Sequence, residues 1–159
     1  MEYWYLIISS VIFMWVAWKV PKQLPPLEYY ATVTTCLFIA EVTDRWTDRY
    51  SLYEFWVRKF IDLPTTFMIF FIYAPAAVIM ISWYPFDGSW IKKITYLLKW
   101  TIFSSFYEWT YLKLGYLYYP HWKWWYSAIS YPFLYGFMFL HLKFVHWVRE
   151  KFRQGSKDN

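Results

Sequence analysis

Between residues 63 and 84 the chain carries no charged side chain at all. At about 1.5 Å of helical rise per residue, such a run matches the roughly 30 Å hydrocarbon core of a bilayer. In water it would expose more apolar surface than so short a chain can cover. The whole composition agrees: of 159 residues, 59% are apolar, 28% aromatic and only 17% charged, where soluble domains carry about 25% charged residues. A disordered chain is excluded, because disorder needs low hydrophobicity. A disulfide scaffold is excluded too, because Cys36 is the only cysteine. The net charge of +5 would suit nucleic acid if it were gathered on one water-facing element. Here the cations sit between apolar runs, where they act as topology determinants and headgroup contacts. The expected partner is the lipid bilayer, and no nucleic acid.

Runs of spanning length divide the chain. The first, residues 3–18, is closed by Lys19 and by Pro21, Pro25 and Pro26, which cannot continue a helix. It is expected to stay as an anchor, since no Lys or Arg precedes it and no small-x-small cleavage pattern follows. Residues 63–84, 91–112 and 124–148 read as three further spans, with Pro75 and Pro132 as expected kinks. The second segment, residues 27–46, is short: only residues 29–40 separate Glu28 from Glu41. It spans if Glu41 and Asp44 face protein or a water-filled cavity, and is re-entrant otherwise. Between it and the third span, Tyr50, Leu52, Tyr53, Phe55, Trp56, Phe60 and Ile61 alternate with charges, which predicts a short helix lying along the interface.

The expected fold is therefore all-α: a polytopic transmembrane bundle of about five helices over residues 1–150, with a polar tail at 151–159. Five spans put the termini on opposite sides. One side then holds the six cations Arg45, Arg49, Arg58, Lys59, Lys113 and Lys123. The other holds eight, Lys19, Lys22, Lys92, Lys93, Arg149, Lys151, Arg153 and Lys157, so the C-terminus is expected in the cytoplasm.

The residues with chemical potential are few. Glu41, Asp44 and Asp48 fall at i, i+3 and i+7 on one helical stripe, with Arg45 and Arg49 on a neighbouring one. Carboxylates so placed can hold Mg²⁺ against a phosphate, and the spacing is similar to the second half of the aspartate-rich motif of membrane prenyltransferases, with Glu41 in place of its first Asp. The second such motif of those enzymes is absent. The competing reading pairs Glu41 with Arg45 and Arg45 with Asp48 as a solvated helix end. Glu108 lies deep in the fourth run, with Lys99 and Lys113 off its helical face. An intramembrane carboxylate needs a partner or water; Arg45 or a hydroxyl-rich face of the second span could supply one, unless the helix ends near Trp109 and leaves Glu108 among headgroups. Glu28 reads as a first-turn acid complementing the helix dipole. His141 and His146 are five positions apart, which does not align two imidazoles as metal ligands, and Cys36 reads as an inert thiol. The rings from Tyr116 to Tyr126 read as an interfacial belt. Nucleophile elbows, Gly-rich phosphate loops and cysteine-based metal motifs are missing among only four glycines.

Together, Pro21-Lys22-Gln23-Leu24-Pro25-Pro26-Leu27-Glu28-Tyr29, residues 44–53, Tyr107-Glu108-Trp109, Tyr126-Ser127-Ala128 and Pro132 resemble, in order and spacing, a family of small multipass membrane proteins of spore-forming Bacillota with no assigned activity. The resemblance implies a bacterial plasma-membrane protein and transfers no functional residue. What remains is a non-enzymatic membrane component, either a binding subunit or a partner of another membrane protein or of a second copy. The alternatives are a Mg-dependent enzyme or binder acting on lipid phosphates or prenyl diphosphates, and a small transporter. Reporter fusions at the two termini test the topology: activity on opposite faces of the membrane is expected, and both on one face would rule out five spans.

Overall fold

The computed structural model describes residues 3–55 and 63–155. Among these residues the chain forms five helices: α1 (Trp4–Lys19), α2 (Pro26–Arg49), α3 (Leu63–Met68, continuing through Ile69–Tyr73 and Ala74–Ser82), α4 (Trp90–Lys113) and α5 (Trp124–Gly155). The only pairing of strands described is antiparallel, between β1 (Glu54–Phe55) and β2 (Leu117–Tyr118), in the register Glu54 to Tyr118 and Phe55 to Leu117. The fold is all-α, as the helix-length apolar runs predicted.

Local chemistry sets the boundaries. α1 stops at Val20, whose backbone turns extended ahead of Pro21. Pro26 opens α2 at a position where its missing N–H costs nothing. Ser89 caps α4 by accepting the Lys92 N–H. α2 and α4 end alike: Ser51 (φ 50°) and Gly115 (φ 72°) adopt left-handed backbone, and the next residues, Leu52 and Tyr116, return their N–H groups to Thr47 O (2.8 Å) and Tyr111 O (2.9 Å). Each reversal delivers the chain into one of the two strands. A further bond, from His121 N–H to Leu52 O (3.2 Å), ties the α2–α3 and α4–α5 connections together at one end of the bundle.

Pro75 is accommodated without a free carbonyl clash. The turn before it is a π-helix over Ile69–Tyr73, and the Ala74 N–H reaches back five residues to Ile69 O. The wider ring makes room for the proline where an α-turn would have met its pyrrolidine.

Two apolar clusters close the bundle. Leu6, Met68, Ile72, Tyr111, Tyr116 and Leu117 pack near the strands. Met80, Ile81, Tyr84, Met138, Phe139 and Leu142 pack toward the opposite end. The outward faces are also apolar, with Trp4, Trp15, Ile91, Ile102, Phe133 and Phe144 among the exposed side chains. By length and composition one described helix, residues 124–154 within α5, suffices to cross a membrane; residues 4–19 and 66–82 are apolar but shorter. α2 and α4, at 24 residues each, are long enough but more polar.

The second segment, expected over residues 27–46, is one helix of 24 residues, α2, about 36 Å long. Two expectations are corrected. The interfacial helix does not form over residues 50–55, which make a turn and then β1; residues 56–62 of that expectation lie outside the described residues. Tyr116 belongs to the core and not to an aromatic belt, whereas Tyr118, Trp124 and Trp125 are exposed.

At the end opposite the strands, Glu28 is fully buried and does more than complement a dipole. Its Oε1 meets His146 Nδ1 at 3.0 Å and Arg149 Nε at 3.1 Å, locking α2 to α5, while Arg149 also meets Glu150 at 2.9 Å. Removing one partner of such a pair strands the other charge. Arg149→Ala should therefore lower stability in detergent by about 2 kcal/mol, and Glu28→Gln with Arg149→Met should restore most of it. Thermal unfolding of the three proteins measures this.

Candidate functional site

Between the two apolar clusters lies a cavity of about 350 Å³, lined from all five helices. Its α2 wall is a single stripe, with every third or fourth residue from Thr32 to Thr47 facing inward, about 22 Å of helix. The middle of the stripe is Cys36, Ile39 and Ala40, faced across the space by Leu134 and Met138 of α5 and by Ala76 of α3. The ends are polar.

The end near the strands holds two carboxylates. Asp44 Oδ1 accepts the Tyr53 hydroxyl at 2.6 Å. Glu108 Oε1 accepts Ser127 Oγ at 2.6 Å and also the Tyr119 hydroxyl, and Oε2 accepts the Tyr131 hydroxyl at 2.6 Å. Trp122 joins the two halves of this site: its Nε1 donates to Ser127 at 2.8 Å, and its ring stands edge-on to Tyr53, centroids 5.9 Å apart. Burial first, then the adjacent Asp44 carboxylate, push the Tyr53 hydroxyl well above the ordinary tyrosine range, so it remains a donor at physiological pH. Asp44 and Glu108 line the same cavity. Among the described residues, no Lys, Arg or His forms an ion pair with either.

The opposite end is lighter. His141 Nε2 and Thr35 Oγ1 are 3.1 Å apart, joining α5 to α2. Thr32 is fully buried and its hydroxyl has no hydrogen-bond partner. Between the ends, Ser104 bonds the Tyr135 hydroxyl.

The structure thus separates the acidic stripe that the sequence presented as a unit. Asp44 enters the cavity, whereas Glu41 turns outward and pairs with Arg45 at 2.7 Å, and Asp48 is half-buried one turn further on. Arg45 is consequently not the partner of Glu108, which is held instead by hydroxyls of α5 and of the α4–α5 connection. α4 continues past Trp109 to Lys113, so Glu108 lies within a helix and not at its end. Among the described residues, no three His, Cys, Asp or Glu side chains gather as a metal ligand set. Four partners escaped the sequence: Tyr53, Tyr119, Ser127 and Tyr131. Ser127 and Tyr131 do share a face at i and i+4, the one local signal of an inward polar surface on α5.

Chemically, the strand end of this cavity is an anionic, aromatic-walled pocket supplied with hydroxyl donors. Removing a donor leaves a buried carboxylate oxygen short of a bond. Tyr131→Phe should cost about 2 kcal/mol of stability, read by thermal unfolding in detergent, whereas Tyr118→Phe at the exposed rim should cost nothing measurable. Comparison of the chain with protein-family models, curated proteins and solved structures finds no match.

Proposed function

We propose that this chain is a multipass, non-enzymatic membrane protein of the bacterial plasma membrane whose bundle binds an amphipathic molecule in its interior. The carrying observation is the cavity: about 350 Å³, within the range of small-molecule sites, apolar along its middle and carboxylate-bearing at one end. An amphiphile has the same division into an apolar body and a polar head. The membrane reading is supported by α5, by the apolar outward faces of α1, α4 and α5, and by the meeting of two alternate connections at one end, as five successive crossings require. In this arrangement the N-terminus lies outside and the C-terminus in the cytoplasm. The Mg-dependent alternative draws on Glu41, Asp44 and Asp48 acting together, and the outward pairing of Glu41 with Arg45 weighs against it.

Filling the cavity tests the reading. In a neutral maltoside detergent, dodecanol should raise the melting temperature of the protein in a saturable way. Ala40→Phe, which places a ring in the middle of the tube, should abolish that rise while leaving the helical circular dichroism unchanged. A rise that persists undiminished in Ala40→Phe would place the binding on the exterior and remove the proposal.

A further inference from the structure

We propose that the cavity selects an amphiphile with an organic ammonium head, seated between Asp44 and Glu108, with its hydrocarbon chain lying along α2 toward Thr35. This rests on the reading of the cavity as a binding site and adds the charge of the occupant.

The hydrogen-bond inventory carries the argument. Glu108 receives three hydroxyls, from Tyr119, Ser127 and Tyr131, and Asp44 receives one, from Tyr53. Asp44 Oδ2 is buried and meets no donor. Two acids thus line one cavity with no ion pair to any described side chain, a setting that favours a head group bringing positive charge and hydrogen-bond donors together.

An ammonium head supplies both at once. The rings of Tyr53, Trp122 and Tyr131 stand at the carboxylates, and aromatic faces attract organic cations. A bare Mg²⁺ or Ca²⁺ demands six or more oxygen ligands in its shell, whereas among the described residues only two carboxylates, Asp44 and Glu108, line the cavity. An anionic head would be repelled by both acids, and a neutral alcohol would bring a donor without the charge.

The rest of the cavity fits the tail. From Asp44 the inward positions of α2 pass through Ala40, Ile39 and Cys36 before polarity returns at Thr35, which contacts His141. Thr35 and Asp44 are nine residues apart on the helix, about 13 Å, enough for roughly ten methylene groups in extended form, with Cys36, Ile39 and Ala40 as the apolar middle of that wall. The chain length of the occupant is thus bounded at the His141 end.

Dodecylamine, dodecanol and laurate, titrated calorimetrically into the full-length protein in neutral maltoside at pH 7, separate the possibilities. Dodecylamine is expected to bind at least about tenfold more tightly than dodecanol, with laurate weakest. Asp44→Asn and Glu108→Gln should each remove most of that preference while dodecanol binding survives. The amine-to-alcohol ratio on the unmodified protein carries the test even if a variant fails to fold. Equal affinity for amine and alcohol would overturn the ammonium assignment and leave the cavity reading standing. Failure of both amphiphiles to bind would overturn the two together. Stabilisation by MgCl₂ or CaCl₂ alone, lost in Asp44→Asn and competitive with dodecylamine, would replace the ammonium by an inorganic cation and overturn the proposal.

Discussion

Carboxylates enclosed by apolar helices govern this architecture. Glu28, Asp44 and Glu108 each point inward from a helix, and each finds partners on another element. Glu28 is met by His146 and by the Arg149 cation, Asp44 by the Tyr53 hydroxyl, and Glu108 by Ser127, Tyr131 and Tyr119. Every one of these bonds joins α2 or α4 to α5 or to a connection at the strand end. Apolar packing alone gives helices latitude to slide and rotate, because one Leu face resembles another. Directional bonds to a buried acid remove that latitude, and they fix which face of α2 looks into the bundle.

The two ends of the bundle solve the same problem differently. At the Glu28 end the acid is paired with a cation of the protein itself. At the strand end the acids are hydrogen-bonded, form no ion pair with a described residue and border the cavity. A buried acid can be retained for structure or for use, and what distinguishes the two here is the neighbouring space. Around Glu28 there is only protein; around Asp44 there is a cavity that continues past Ala40 and Cys36 toward Thr35.

Much of the helical framework could be read from the residues, because charge-free runs and prolines act locally. Pro21, Pro25 and Pro26 end one helix and begin the next, and the boundaries of α1, α3 and α4 fall within one or two residues of those expected. α2 was harder: its apolar core is short, and whether its polar half remains helical depends on what Asp44 and Thr47 face. The site was half legible. Glu108 and Asp44 stood out because carboxylates are expensive in such surroundings, but Glu41, two turns of reasoning from the same motif, proved to be a surface ion pair. Tyr53, Ser127, Tyr131 and the link from Glu28 to His146 depend on helix rotation across long sequence separations. No local pattern encodes that rotation. The aromatic run after Leu114 misled for a related reason, since the left-handed turn at Gly115 folds Tyr116 inward while Tyr118 stays out.

The π-turn in α3 has a reach beyond accommodating Pro75. An additional residue in one ring offsets the phase of everything after it, so the halves of α3 present different longitudes of the helix to the bundle: Met68 and Ile72 toward one cluster, Met80 and Ile81 toward the other. That offset is what brings two small residues, Ala76 and Ala77, to the lining. Regular winding would turn the second half of the helix by roughly a quarter turn relative to the first, so the width of the hollow depends on this one ring and not only on the residues that bear charge.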